Sequence, residues 1–200
     1  MELIAATRNK DKLGEIKALL KELPVEVFSL DSFKGAPEVI EDGVTLADNA
    51  IKKALQISRA LDKFAVADDS GLEVEYLDGA PGVYSARFSG KGATYKSNNE
   101  KLLKLLKDVP LAKRKACFKC VIALADKGKI IGAAEGVCNG NICFEPRGYN
   151  GFGYDPVFIP DGYKKTFAEM SPADKNKISH RSKALIKAKK IISKYLSLYL

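Results

Sequence analysis

The stretch FAVADDSGLEVEYLDGAPGVYSARFSG, residues 64–90, decides how the rest of the chain is read. It opens on an apolar run, Phe64 to Ala67, that reads as a buried strand. Asp68 and Asp69 follow, then Ser70 and Gly71. A second strand-like run spans Leu72 to Leu77. The turn Gly79-Ala80-Pro81-Gly82 then brings in Tyr84, Ser85 and Arg87. Adjacent carboxylates at a strand end, just ahead of a glycine, sit where an oxygen-seeking cation such as Mg²⁺ is held. The competing reading is a strand-turn-strand in which the aspartates only form the turn. These residues alone leave the two readings level.

Upstream, Leu3 to Ala6 reads as a short strand. It runs into Thr7-Arg8-Asn9-Lys10-Asp11-Lys12 and a helix extending to about Leu23, with Leu13, Ile16, Leu20 and Leu23 at helical spacing. Pro24 ends it. A polar turn at a helix start offers free N–H groups and the positive end of the dipole to a phosphate. Arg8, Lys10 and Lys12 add charge, although the glycines of a Walker A loop are missing. The alternative, slightly favoured by spacing, is an ordinary helix capped by Thr7 or Asn9. Val25 to Leu30 reads as a strand. Asp31 to Val44 is a loop carrying Glu38, Glu41 and Asp42, and Thr45 caps a helix from Leu46 to about Leu61.

Downstream, Thr94 begins a helix to about Lys107, stopped by Pro110. Lys115 to Ala125 and Lys129 to Val137 form a hairpin about Asp126-Lys127-Gly128, with Gly140 to Phe144 extending it. Phe152-Gly153-Tyr154-Asp155-Pro156 places a glycine between two aromatics. That admits a flat ligand to the backbone and offers two rings for stacking on a base; two core aromatics beside a turn are the commoner outcome. Val157 to Ile159 is an apolar run, and Asp161 to Lys177 looks irregular. Ser179 caps the last helix, whose buried face is Leu185, Ala188, Ile192, Tyr195 and Tyr199. His180, the only histidine, and Arg181 stand in its first turn, where cations oppose the dipole.

The 200 residues fit one domain with two lobes and a real core. A net charge of +8, from 33 Lys+Arg against 25 Asp+Glu, suits an anionic partner such as a nucleotide, a polyphosphate or a nucleic acid. No apolar run reaches the ~20 residues of a membrane span, and no signal-peptide layout opens the chain, so a cytoplasmic protein is expected. Cys117 and Cys120 have C-x-x-C spacing. On a strand, residues three apart face opposite ways, so free, mostly buried thiols are expected rather than a metal or redox pair. The order β-α-β-α-β-β-α-β-β-α reads as an α/β fold: a mixed sheet flanked by helices, elongated, in two lobes with a cleft.

Five blocks, in order, carry a resemblance that runs nearly end to end. They are Thr7-x-Asn9-x-x-Lys12-x-x-Glu15; Glu41-Asp42-Gly43 with Asn49-Ala50-x-x-Lys53-Ala54; Ala67-Asp68-Asp69-Ser70-Gly71-Leu72 through Arg87; Gly151-Phe152-Gly153-Tyr154-Asp155-Pro156; and Ser179-His180-Arg181. With them the chain resembles the inosine triphosphate pyrophosphatase family. Asp48 departs from it, since many relatives carry Glu before Asn-Ala. The acidic loop departs too, leaving Glu38 or Glu41 to match the family's metal ligand.

The resemblance implies hydrolysis of ITP, dITP and XTP to monophosphate and pyrophosphate, Mg²⁺ dependence, a homodimer, and an active-site cleft between two lobes of a long bent sheet. It further implies that Thr7, Arg8, Asn9, Lys10, Asp11 and Lys12, with Lys53 and Ser70, bind the substrate, and that Lys12 acts catalytically by stabilising charge that grows on the phosphates. Asp69 would hold Mg²⁺ with Asp68 and Glu38 or Glu41. One of Asp68 and Asp69, with Asp69 preferred, would accept the proton of the attacking water. Phe152, Gly153 and Tyr154 would flank the base, with Asp155 and Lys175 at its rim. His180 and Arg181 would donate to the 6-carbonyl that hypoxanthine and xanthine carry and adenine lacks. Two rivals are a Maf-type nucleotide pyrophosphatase, separable by a substrate panel, and a nucleic-acid-binding module. The module gives the paired aspartates no task beside phosphates.

Overall fold

The computed structural model describes residues 1–198. In chain order its elements are β1 (Glu2–Ala5), α1 (Lys10–Leu20), β2 (Glu26–Ser29), α2 (Leu46–Leu61), β3 (Phe64–Val74), α3 (Tyr95–Leu105), β4 (Lys115–Asp126), β5 (Lys129–Ile142), β6 (Phe158–Pro160), α4 (Pro172–Ile178) and α5 (His180–Leu196). The strands form one six-stranded sheet in the order β2-β1-β3-β4-β5-β6. β1 runs parallel to β2 and β3, whereas β5 is antiparallel to β6. The mixed sheet with flanking helices expected from the sequence is therefore present.

Two expectations are corrected. First, β3 does not stop at Asp68: one strand runs through Asp68-Asp69-Ser70-Gly71 to Val74. The backbone of this passage is held by its neighbours. Leu72 N–H donates to Ser85 Oγ at 2.9 Å, and that hydroxyl donates to the Gly82 carbonyl at 2.6 Å. Gly71 is required by the closeness of that turn, because a Cβ there would lie 2.4 Å from the Gly82 carbonyl oxygen. The strand ends in a 3-10 turn at Glu75–Leu77, where Asp78 and Gly79 adopt positive φ. Second, the segment 161–177 is not irregular throughout. It contains a 3-10 turn at Phe167–Glu169 and α4, capped by the Ser171 hydroxyl, which accepts from Asp174 N–H at 3.1 Å. Ser171-Pro172-Ala173-Asp174 carried that start signal in the sequence. Tyr199, assigned to the buried face of the last helix, lies outside the described residues.

The chain divides into two compact units. The first holds Met1–Asp69, Cys120–Gly136 and the chain from Arg181 on. Alternate residues of its strands, Leu3 and Ala5, Phe64 and Val66, Cys120, Ile122 and Leu124, pack with Ile16 and Leu20 of α1 and Leu185, Ala188, Ile192 and Tyr195 of α5. The residues between them, Ile4, Ala65, Ala67, Val121 and Ala123, are buried too. Strands covered on both faces read as continuous apolar runs, which is why Phe64 to Ala67 shows no alternation. Burying each large aliphatic or aromatic side chain contributes about 1.5–3 kcal/mol.

The second unit holds Ser70–Lys119 and Val137–His180. Its core joins Leu72 and Val74 of β3, Leu102 of α3, Phe118 of β4, Cys138 and Ile142 of β5, Phe158 of β6, and Phe167. Phe118 meets Phe158 edge-on at 4.7 Å between ring centroids. Buried Arg114 donates to the carbonyls of Leu106 and Val109, just beyond α3, and of Cys143, just beyond β5. All four cysteines are free thiols. Among the described residues no helix is long and apolar enough to cross a membrane.

Candidate active site

Asp68 and Asp69 lie in the first unit, and the alternation of β3 sends them to opposite faces. Asp68 shares its face with Phe64 and Val66, the side of α1 and α5. Its Oδ2 receives Lys12 Nζ at 3.0 Å and Arg181 Nε and Nη2 at 3.3 and 3.2 Å. Arg181 Nη1 also donates to Glu15. Asp68 and Arg181 are each 1% exposed. Burial resists ionisation of Asp68, but Lys12, Arg181 and Lys53 together outweigh it and hold the carboxyl well below the usual range.

Asp69 shares its face with Ala65 and Ala67 and meets α2. Lys53 Nζ lies 3.8 Å from its Oδ1, 2.6 Å from Glu41 Oε1 and 2.5 Å from the Asp68 carbonyl. Burial pushes the Asp69 carboxyl up, and repulsion from Glu41 adds to it, against the opposing pull of Lys53, Lys12 and the Asn49 side chain. Lys53 is itself buried, yet the surrounding carboxylates raise its pKa, so it stays an ammonium.

The expected phosphate seat is a capped helix. Asn9 Oδ1 accepts from the N–H groups of Asp11 and Lys12 at 2.9 and 3.2 Å, and Thr7 Oγ1 accepts from Asn9 N–H at 3.1 Å. Arg8 turns toward Asp31 at 3.5 Å, an exposed pair. Lys10 and Asp11 are exposed, and of this stretch Lys12 joins the acidic network. Cys120 lies buried in the same unit, and burial pushes its thiol up to about 12, so it is an inert core group.

In the second unit, Asp155 Oδ2 accepts from Phe152 N–H at 2.9 Å and from Lys175 Nζ at 2.7 Å. The Lys175 ammonium also stands 4.8 Å over the Phe152 ring. Tyr154 is buried, and its hydroxyl donates to the Ser85 carbonyl at 2.8 Å. Gly153 has a φ of +63° and its carbonyl accepts from Asn99 Nδ2 at 2.9 Å. His180 stacks flat on Phe118, with centroids 4.5 Å apart and planes 9° apart. Ser70 begins this unit within β3. Tyr154 is a core aromatic anchored by its hydroxyl, and the guanidinium fork of Arg181 engages Asp68 and Glu15.

A sequence model of the Ham1 family matches residues 3–191. The chain belongs to the Ham1 family. A dITP/XTP pyrophosphatase of Desulforamulus reducens is 53% identical over 194 residues, spanning 97% of this chain and 96% of that protein. A HAM1 protein from Coxiella burnetii has a solved structure with a TM-score of 0.89 at 38% identity, covering 97% of this chain and 99% of that one. The structure of a nucleoside-triphosphatase, or dITP/XTP pyrophosphatase, from Mycobacterium abscessus matches with a TM-score of 0.76 at 40% identity, over 94% and 97% of the two chains.

For this Ham1-family chain the donor set can be weighed against Mg²⁺. Glu38 is exposed, whereas Glu41 reaches the Lys53 ammonium beside Asp69. Among the described residues no three carboxylate, imidazole or thiol groups form a ready metal cage. Mg²⁺ needs none, since it commonly takes one or two carboxylates together with waters and substrate phosphates. Asp69 and Glu41 are hard oxygen donors close enough to repel each other. The residues present fit that ion.

Sequence reasoning gave no role to Glu15, Asn49, Asn99 or Phe118. Glu15 stands one turn from Lys12 on α1, a spacing that places both on one face. Phe118 gave no signal beyond its place in an apolar strand. Asp48, the departure from the family's Glu, has a local explanation: its carboxylate accepts from Thr45 N–H at 3.0 Å while Thr45 Oγ1 accepts from Asp48 N–H at 3.1 Å. An aspartate closes this capping box as a glutamate does.

Proposed function

We propose that this Ham1-family protein hydrolyses dITP, ITP and XTP to the nucleoside monophosphate and pyrophosphate, clearing deaminated purines from the nucleotide pool. The observation that carries the reading is the divergence of two adjacent aspartates on one strand. Asp68 is fixed as an anion under Lys12 and Arg181, and Asp69 is tuned upward beside Lys53 and Glu41. Neighbouring carboxyls pushed apart in pKa mark a division of labour.

In this reading Lys12 and Lys53 stabilise the charge that grows on the phosphates as the bond breaks. Asp69, the better base of the two, takes a proton from water. The water oxygen bonds to the α-phosphorus, the bond from that phosphorus to the bridging oxygen breaks, and pyrophosphate leaves. Asp69 and Glu41 would hold Mg²⁺, which when bound supplies charge neutralisation and acidifies water. Asp68 orients Lys12 and keeps Arg181 in place.

In this reading Phe152, Asp155, Lys175 and His180 recognise the base. Phe152 offers a half-buried ring, with the Lys175–Asp155 pair against it. His180, held by Phe118, offers a donor to a 6-carbonyl. Adenine places an amino group there, so that hydrogen bond is not made, at a cost of about 0.5–1.5 kcal/mol. The contacts of Arg181 favour its assignment to the acidic network over the base.

Purified protein assayed for pyrophosphate with dITP, XTP, dATP, dGTP and dTTP, with and without Mg²⁺, tests the reading. Fast release from dITP and XTP, lost with EDTA, is expected. Orthophosphate as first product, or equal rates on all five, overturns it. The same reading includes a homodimer in the cytoplasm, and light scattering at the monomer mass would remove the dimer from it.

A further inference from the structure

Two adjacent asparagines on α3 are buried, Asn98 at 2% and Asn99 at 6% exposure. Asn98 uses both ends of its amide. Its Oδ1 accepts from Ser89 N–H at 2.7 Å, and its Nδ2 donates to the carbonyls of Ser85 and Ala86 at 3.3 and 3.1 Å. That is structural bracing of the segment after the Pro81 turn. Asn99 differs. Its Nδ2 donates to the Gly153 carbonyl at 2.9 Å, while its buried Oδ1 accepts no hydrogen bond from the protein. The amide orientation follows from the partner, because only the NH₂ end can serve a carbonyl.

The bond lands between the two aromatics of the 152–155 segment, at a glycine of positive φ. The rest of that segment is tied by side chains. Asp155 holds Phe152 N–H and Lys175, and the Tyr154 hydroxyl holds Ser85. The Gly153 peptide is the part with the widest conformational freedom, since glycine lacks a Cβ. It directly follows Phe152, so holding its carbonyl limits how far the backbone carrying that ring can shift.

We propose that Asn99 is a positioning residue for base recognition: by fixing the Gly153 carbonyl it sets the plane of Phe152 and so the fit of the purine. This rests on the pyrophosphatase reading above. The hydrogen bond of Asn99 goes to the segment that flanks the base, so its effect belongs to the base and not to the phosphates.

The test compares wild type with Asn99→Ala and Asn99→Asp. The aspartate keeps the size and an acceptor oxygen but removes the donor to Gly153. With dITP and saturating Mg²⁺, both variants should raise KM about 3–10-fold, the range of one lost hydrogen bond, with kcat held within about twofold. The dITP-over-dATP ratio of kcat/KM should fall by a similar factor. Inhibition by inorganic tripolyphosphate, which has no base, should be unchanged. Loss of folded protein alone would lower kcat and leave KM where it was. An unchanged KM and base ratio, or a matching weakening toward tripolyphosphate, overturns the proposal while the pyrophosphatase reading survives. Wild type that releases no pyrophosphate from dITP ends that reading, and this inference with it.

Discussion

Asp68 and Asp69 are joined by one peptide bond and face opposite sides of β3. Burial opposes ionisation at both. At Asp68 the cations of α1, α2 and α5 overcome it; at Asp69 burial and Glu41 prevail. The pair is therefore not interchangeable, and its two members should fail differently when changed.

Asp69→Asn should lower kcat by about 10²–10⁴-fold, the scale of a positioned general base, yet should not destabilise the protein. A carboxyl whose folded pKa is raised contributes stability that is complete below the unfolded value near 4 and is lost as pH rises through the folded one. At neutral pH without metal, ionised Asp69 thus works against folding. Its amide should melt about 1–4 °C higher in EDTA. Near-normal turnover at saturating Mg²⁺ would remove Asp69 from the chemistry.

Asp68→Asn should do the reverse. It leaves Arg181 and Lys12 facing an amide in a buried site, at a cost of about 3–5 kcal/mol measured by urea unfolding. Because its folded pKa is depressed, the stability Asp68 contributes is present above the unfolded carboxyl value near pH 4 and disappears as pH falls toward the folded one. Wild type should lose stability steeply below about pH 4, and the variant should lose less. Equal slopes in EDTA would contradict the assigned partners.

The two loop glutamates separate on Mg²⁺. Glu41 lies at the Lys53 ammonium with Asp69, and Glu38 is exposed. Glu41→Gln should raise the Mg²⁺ concentration for half-maximal activity about tenfold or more, with Glu38→Gln near wild type. The opposite result would move the ligand to Glu38.

Much of this was legible in the residues. The helix of α1 with its Asn9 cap, the hairpin of β4 and β5, and the buried face of α5 followed from periodicity and turn chemistry. What escaped was the local state of Asp68-Asp69-Ser70-Gly71. Carboxylates and glycine are poor strand formers, so propensity signalled a turn. Ion partners distant in sequence, Lys12, Lys53 and Arg181, and the Ser85 hydroxyl kept the segment extended instead. Once the segment is a strand, the divergence of the two aspartates is unavoidable. No local pattern reveals that Arg181 meets Glu15, because the pair is 166 residues apart. The Phe118–His180 stack is hidden for the same reason, since it joins a strand residue to a helix start.

The Arg181–Asp68 pair decides how far the base-reading role of Arg181 can stand. Its guanidinium is 1% exposed, with Nε and Nη2 on Asp68 and Nη1 on Glu15. A group so held acts first through the carboxylates it touches. Arg181→Met and Asp68→Asn should then be non-additive, with the double variant less destabilised than the sum of the singles by about 1–3 kcal/mol. Arg181→Met should also lower kcat for dITP and dATP alike, because the carboxylate that orients Lys12 loses its anchor, leaving the preference for the 6-oxopurine intact. Additive stabilities together with a collapsed dITP-over-dATP ratio would show the arginine leaving the network to read the base. The fork geometry argues against that outcome, since each N–H withdrawn from Asp68 weakens the pairing of a buried carboxylate.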